Sequence, residues 1–169
     1  MEDAITAVLN RYDLTGKYLD KIAIEELGNY FATATSRIRI IEVINCQAAK
    51  IIRKAASRLY EEQPELLRPG GNSYTTRRYT ACLRDIDYYL RYASYALAAG
   101  NNNILNERVL DGLRDVYNSL SVPIAPTVKS IKILQEIIEK ELDLRNINAK
   151  NLVEQPFQHM ISALGEENI

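Results

Sequence analysis

The chain has 169 residues, 47% hydrophobic and 25% charged, with a formal net charge of −1. That is the composition of one ordinary globular unit large enough to bury a core, and it excludes a disordered or low-complexity chain. No apolar run reaches the roughly 20 residues of a membrane span, and a near-neutral chain has no bulk attraction for nucleic acid or an anionic lipid surface.

The first residues, Met1 to Ala4, lack the basic start and apolar stretch of a secretory signal, so the chain is expected to stay on the synthesising side of a membrane. Its two cysteines, Cys46 and Cys82, are then expected to be unpaired. They form no C-x-x-C spacing, which removes structural zinc and thioredoxin-type chemistry.

Apolar residues recur at intervals of three and four along most of the chain, and no stretch alternates long enough to form a strand, so the predicted class is all-α. A short amphipathic helix is expected over about residues 3–14, stopped by Thr15 and Gly16, and a second over about 19–28. Both are too short to be stable alone and must pack on something. A long helix over about 31–62 follows, its apolar stripe carried by Ile41, Ile44, Ala48, Ile51, Ile52, Ala55 and Leu59 and its end set by Pro64. The stretch 63–76 concentrates Pro64, Pro69, Gly70, Gly71 and Asn72 and is predicted to be a long surface loop. A helix over about 76–99 is closed by Gly100 in a left-handed cap. Further helices are predicted over about 104–119, 124–142 and 152–164. No linker or internal repeat divides the chain, and residues 1–169 are expected to form a single domain.

Six of the eleven tyrosines lie between Tyr74 and Tyr95, together with Arg77, Arg78, Arg84, Arg91, Asp85, Asp87 and Cys82. On a helix Arg78, Cys82, Asp85 and Tyr89 are spaced by four, three and four and share one face. Arg77 and Arg78 fall in the first turn, where the helix dipole disfavours cations by about 0.3 to 1 kcal/mol each, so an anion is expected beside them. Asp87 has Arg84 and Arg91 at helical spacing. Asp85 has no cation three or four positions away, and is expected to sit in water or against a donor supplied from elsewhere. The plain alternatives are a buried structural role for Cys82, and more so for Cys46, a core or interface stripe of tyrosines, and a solvated arginine face. Asn72, after two glycines, reads as a turn residue. The residues alone therefore describe an all-α domain with an arginine-anchored, tyrosine-walled anion site beside Cys82.

The run RPGGNSYTTRRYTACLRDIDYYLRYASYALAAG, residues 68–100, closely resembles the bilin-binding segment of phycobiliprotein beta subunits, and the similarity extends to residues 1–18, ERVLDGL at 107–113 and YNSLSVP at 117–123. The resemblance implies a globin-like fold with two additional N-terminal helices: a helical pair over about 1–30 that meets a partner, and a bilin-binding body over about 31–169. Cys82 resembles the thiol joined by a thioether to ring A of phycocyanobilin, and Asp85 the carboxylate that accepts hydrogen bonds from the inner pyrrole N–H groups. Arg77, Arg78 and Arg84 resemble the partners of the two propionates. Asn72 resembles the asparagine that becomes N4-methylasparagine, and Tyr88, Tyr92 and Tyr117 are expected to wall the pigment.

A chain without a further cysteine in its C-terminal region resembles the single-bilin allophycocyanin type. Ser73 in place of the usual methionine, and a longer, more charged end over 139–169, resemble the minor beta-18 variant of that group. The implied role is light harvesting in the phycobilisome core, without catalysis, at the cytoplasmic or stromal periphery of the thylakoid membrane. The implied partners are an allophycocyanin alpha-type subunit, as an αβ heterodimer assembling into trimers, core and core-membrane linker polypeptides, and transiently a bilin lyase; no nucleic acid or DNA is implied.

A haem globin would want a histidine on a central helix, whereas the sole histidine, His159, falls near the end and is expected at the surface. A nucleic-acid binder is disfavoured by the charge, and an enzyme by the lack of a nucleophile with its supporting base. The remaining alternative is a colourless interaction module of the same fold.

Overall fold

The computed structural model describes residues 2–165, and within them the chain is helical with no strand. Met1 and residues 166–169, the last of the charged C-terminal stretch, lie outside the described residues. The elements are α1 (Ala4–Asp13), α2 (Lys21–Ala32), α3 (Ala34–Glu62), a 3₁₀ turn (Pro64–Leu67), α4 (Thr76–Ala99), α5 (Asn103–Leu105), a π turn (Asn106–Leu110), α6 (Leu113–Ser119), α7 (Ile124–Asp143) and α8 (Lys150–Gly165). No helix among the described residues is long and apolar enough to cross a membrane.

Helix starts follow side-chain caps. Asp3 accepts from the Thr6 amide at 2.7 Å, Asp20 from Ala23 at 3.0 Å, and Thr75 from Arg78 at 3.3 Å, each satisfying one orphan amide of a first turn. The second helix runs past Gly28 to Ala32, because a glycine in a helix interior weakens it by only about 1 kcal/mol and does not stop it. It ends at Thr33, whose hydroxyl donates to the Asn29 carbonyl, and α3 starts only after that. The single helix expected over 104–119 is three pieces. The Asp111 amide bonds back to Asn106 in a π turn, and Gly112, at φ +70°, takes a conformation that no helix contains.

The core is built where α3, α4, α7 and α8 pack together, around Ile40, Ile44, Ile51, Leu59, Ile86, Leu90, Ile131, Leu134, Ile138 and Phe157. The predicted stripe of α3 lies on this side, with Ile44, Ile51, Ala55 and Leu59 buried and Ile41, Ala48 and Ile52 half-buried. Cys46 was read as a core position and is exposed; it stands two residues, about 200°, from buried Ile44 on the opposite face of the helix. Both cysteines are free thiols. His159 is half-buried and its Nε2 bonds Asn106 Oδ1 at 2.6 Å, tying α8 to the π turn.

Two buried charges fasten the bundle. Arg37, 5% exposed, donates to the carbonyls of Leu97 and Ala98 at 2.9 and 3.1 Å and of Tyr30 at 2.6 Å, while its guanidinium lies 4.1 Å from the centre of the Tyr30 ring. It thus satisfies the carbonyl ends of α2 and α4 together and seats the N-terminal pair on the body. Glu141 on α7, 3% exposed, receives Lys54 at 2.9 Å and Lys50 at 3.5 Å from α3, and Arg145 at 3.0 Å. The hydrogen bonds from Lys54 and Arg145 pull its carboxyl down from 4.5 to about 2, against burial, which pushes it up.

Replacing Arg37 with Met is expected to cost about 2 to 4 kcal/mol in urea unfolding, since three buried carbonyls lose their donor at once. Replacing Glu141 with Gln is expected to cost about 1 to 2 kcal/mol at pH 7, the half-exposed cations being partly screened. Because the folded carboxyl titrates below the unfolded one, this contribution is complete above about pH 4.5 and is lost as pH falls toward 2. Urea midpoints of the two proteins should therefore converge across that window.

Candidate functional site

The loop after α3 is shaped by its glycines. The Gly71 amide bonds Arg68 O and the Ser73 amide bonds Leu66 O, both at 2.8 Å, folding residues 68–75 back over the 3₁₀ turn. A side chain at Gly71 would fall on the carbonyl oxygens of Glu65 and Leu66, so the approach requires glycine. This fold-back places Asn72 and Ser73 opposite the first half of α4.

Between that loop, α4 and the segment from Tyr117 to Ser130 lies a cleft of ≈ 850 Å³. Arg77, Arg78, Cys82, Arg84, Asp85 and Tyr89 of α4 line it, with Asn72 and Ser73 from the loop and Tyr117 from α6. The four-three-four register read from the sequence is the cleft wall. The three arginines are exposed at the rim, and Cys82 is half-buried within.

Asp85 is held from two sides. Arg84 donates to its Oδ1 through Nε at 3.1 Å and Nη2 at 2.9 Å, and the Tyr117 hydroxyl donates to Oδ2 at 3.0 Å. The sequence suggested no cation within helical reach. Adjacent positions on a helix do not face each other, but the long arginine side chain curls back over its neighbour. The donor from elsewhere is Tyr117. Its single proton is engaged with Asp85, so Tyr89, whose hydroxyl lies 2.5 Å away, donates to it. Burial pushes both phenols well above their ordinary values, keeping this chain of donors protonated. Asp87 pairs with Arg91 at 3.2 Å as expected for a surface i,i+4 pair.

Two predicted walls lie elsewhere. Tyr88 is turned to the outer side of α4, 42% exposed, with the guanidinium groups of Arg84 and Arg91 at 5.8 and 4.8 Å from its ring centre. Tyr92 is two helical turns beyond Asp85, edge-on to Tyr95 and packed on the core. Tyr89 lines the cleft, and its spacing with Cys82 and Asp85 was the signal for it. Arg78 reaches Asn72 Oδ1 at 3.5 Å, joining rim to loop.

At the Cys82 end the Tyr60 phenol of α3 and the Ser73 hydroxyl face the sulfur. Burial pushes the Cys82 thiol up, the Tyr60 and Ser73 hydroxyls oppose this in part, and the Asp85 charge adds to it. No sequence signal could have brought Tyr60 here, since it stands 22 positions away on another helix. The site thus offers a nucleophilic sulfur, a fixed carboxylate and a cationic rim around one cavity, an arrangement suited to a long ligand with cationic N–H groups and carboxylate arms.

The sequence profile described as phycobilisome protein matches residues 7–164. Over the whole of both chains, the protein is 66% identical to allophycocyanin subunit beta-18 of Porphyra purpurea and 53% identical to that of Synechocystis sp.. It is also 52% identical, again end to end, to a phycobiliprotein beta chain of Mastigocladus laminosus. A match that takes in every cleft-lining residue and nearly the whole helical chain leaves one conclusion: the protein belongs to the phycobilisome protein family.

Proposed function

We propose that this chain is a light-harvesting subunit of the phycobilisome core, of the allophycocyanin beta-18 kind, carrying one phycocyanobilin through a thioether to Cys82. The observation that carries this reading is the convergence of the Cys82 sulfur, the Asp85 carboxylate and the three arginines on one cleft. The residues fit such a group: ≈ 850 Å³ lies within the range of cofactor sites, and the charges alternate as a protonated tetrapyrrole with two propionates requires. When bound, the pigment supplies the conjugated system that absorbs visible light and passes excitation to its neighbours.

The chain's own residues hold and stiffen. Cys82 fixes one end, while Asp85, already oriented by Arg84 and Tyr117, accepts from the inner N–H groups in charge-assisted hydrogen bonds. Arg77, Arg78 and Arg84 meet the propionates, with Arg84 shared between propionate and Asp85. Tyr89 and Tyr117 form the wall, Tyr88 backs Arg84, and Tyr92 packs behind the site. Asn72, bonded to Arg78, is the residue proposed for N4-methylation. Constraint at several points suppresses the twisting by which a free bilin loses its excitation. No reaction is catalysed.

A half-buried thiol whose pKa burial has raised is scarcely ionised at neutral pH, and the thiolate is the nucleophile. This supports attachment by a separate lyase. For assembly, Leu14, Tyr18, Ile22, Ile24 and Phe31 on and between α1 and α2 are large apolar side chains left exposed around the N-terminal pair. This pair is proposed to meet an alpha-type subunit, giving αβ units that form trimers with linker polypeptides at the thylakoid surface.

Purified from cells that make phycocyanobilin and the lyase, the chain is expected to keep visible colour through acid denaturation, and Cys82→Ala to lose it. A colourless wild type would move the reading to an interaction module of the same fold. In Asp85→Asn the pigment loses the anion that favours its protonated form, so the pH at which its visible band collapses should fall by about one to two units on spectral titration.

A further inference from the structure

Tyr60 is 8% exposed, and its hydroxyl is buried with no hydrogen-bond partner of standard geometry. A buried phenol of this kind normally finds one. Its ring is fixed by stacking on Tyr79, with centres 5.3 Å apart and planes inclined by 24°, and its hydroxyl lies beneath the cleft lining, beside the side chains of Cys82 and Ser73. Ser73, 2% exposed and held by the bond from its amide to Leu66 O, brings a second hydroxyl to the same sulfur. A neutral thiol is a weak acceptor, so the sulfur offers these hydroxyls little while it keeps its proton.

We propose that the Tyr60 and Ser73 hydroxyls form a donor pair that receives the sulfur anion of Cys82 while the thioether is made. The inference rests on reading Cys82 as the attachment thiol. In that addition the sulfur's electron pair forms a bond to an exocyclic alkene carbon of the terminal ring, and the alkene π pair takes up the proton the thiol gave. Every atom is retained and nothing is oxidised or reduced. Negative charge on sulfur appears only between proton loss and bond formation, and two preplaced donors stabilise it there without reorganising. Tyr60 and Ser73 are thus positioning residues that act through Cys82.

The other titratable groups facing the sulfur are Asp85 and Tyr89 of α4, with Arg78 one turn earlier on the same cleft. The Asp85 charge opposes ionisation, so the hydroxyl pair offsets both that charge and burial.

The test is carbamidomethylation of the full pigment-free chain by iodoacetamide between pH 7 and 10, followed at each cysteine by peptide mass spectrometry. Exposed Cys46 serves as the internal reference. Tyr60→Phe keeps the ring on Tyr79 and removes only the hydroxyl. It should slow Cys82 about three- to tenfold at pH 8.5 and displace its pH–rate curve upward, with Cys46 unchanged. Ser73→Ala should act in the same direction, and decides the matter if the phenylalanine variant loses its near-UV circular dichroism. An unmoved curve at Cys82, or faster reaction at every pH, would overturn the donor pair. Because no bilin enters this assay, its outcome is separate from whether Cys82 carries one.

Discussion

A carboxylate drawn out of water has to be met by donors, and the way Asp85 is met organises the whole site. Arg84 takes one oxygen and Tyr117 the other, and Tyr117 is itself fixed by Tyr89. Arg84 lies on the same helix as Asp85, so it is the bond from Tyr117 that ties α4 to α6 at this point, and moving the two apart would give up that charge-assisted bond. The hydrogen bond from Tyr117 therefore sets the width of the cleft as well as the direction of the carboxylate. It also requires α6 to begin where it does. The left-handed turn at Gly112 redirects the chain so that Tyr117 points at α4 instead of continuing the helix that starts at Asn103.

The opposite wall depends on a different constraint, the absence of a side chain at Gly71. Close approach of that backbone to Glu65 and Leu66 folds the loop back and presents Asn72 and Ser73 to the cleft. Arg78, in the first turn of α4, reaches Asn72 across the gap. Cations there oppose the helix dipole, an unfavourable placement that an anion at the rim would offset. Stability is secured away from this region. Arg37 and Glu141, both buried and both paired, clamp helix ends and helix faces and take no part in lining the cleft.

Local spacing made part of this legible from the sequence. Arg78, Cys82, Asp85 and Tyr89 lie on one helix, so a period of 3.6 was enough to put them on one face, and the cap at Gly100 and the breaker-rich loop followed from residue type. What was not legible came from elements brought together only by folding. Tyr60 reaches Cys82 from α3, and Arg37 reaches the end of α2 at Tyr30 and the end of α4 at Leu97, the latter 60 positions further along the chain. Tyr88 stands outside the cleft lining, which spacing could not have shown, because it gives a direction around a helix but not the side on which its neighbours pack. Arg84 was missed as a partner for Asp85 because the i,i+4 rule describes short side chains better than an arginine long enough to fold back on its neighbour.

The Cys82 environment sets two demands against each other. A sulfur that is to hold a pigment rigidly must be enclosed, and enclosure suppresses the thiolate from which the bond is made. An exposed thiol would ionise more readily but would anchor the pigment at a point free to swing, and it would be open to oxidation and stray alkylation, as Cys46 is. Placing the thiol in the half-buried floor, with Asp85 one turn further on, favours rigidity and selectivity over spontaneous reactivity. The two hydroxyls at its side soften that choice without reversing it, since burial remains the larger influence on the sulfur. If Cys82 is the attachment point, as proposed, a thiol enclosed in this way would stay unreactive until a pigment is delivered in the right orientation, and the same enclosure would then hold the pigment still.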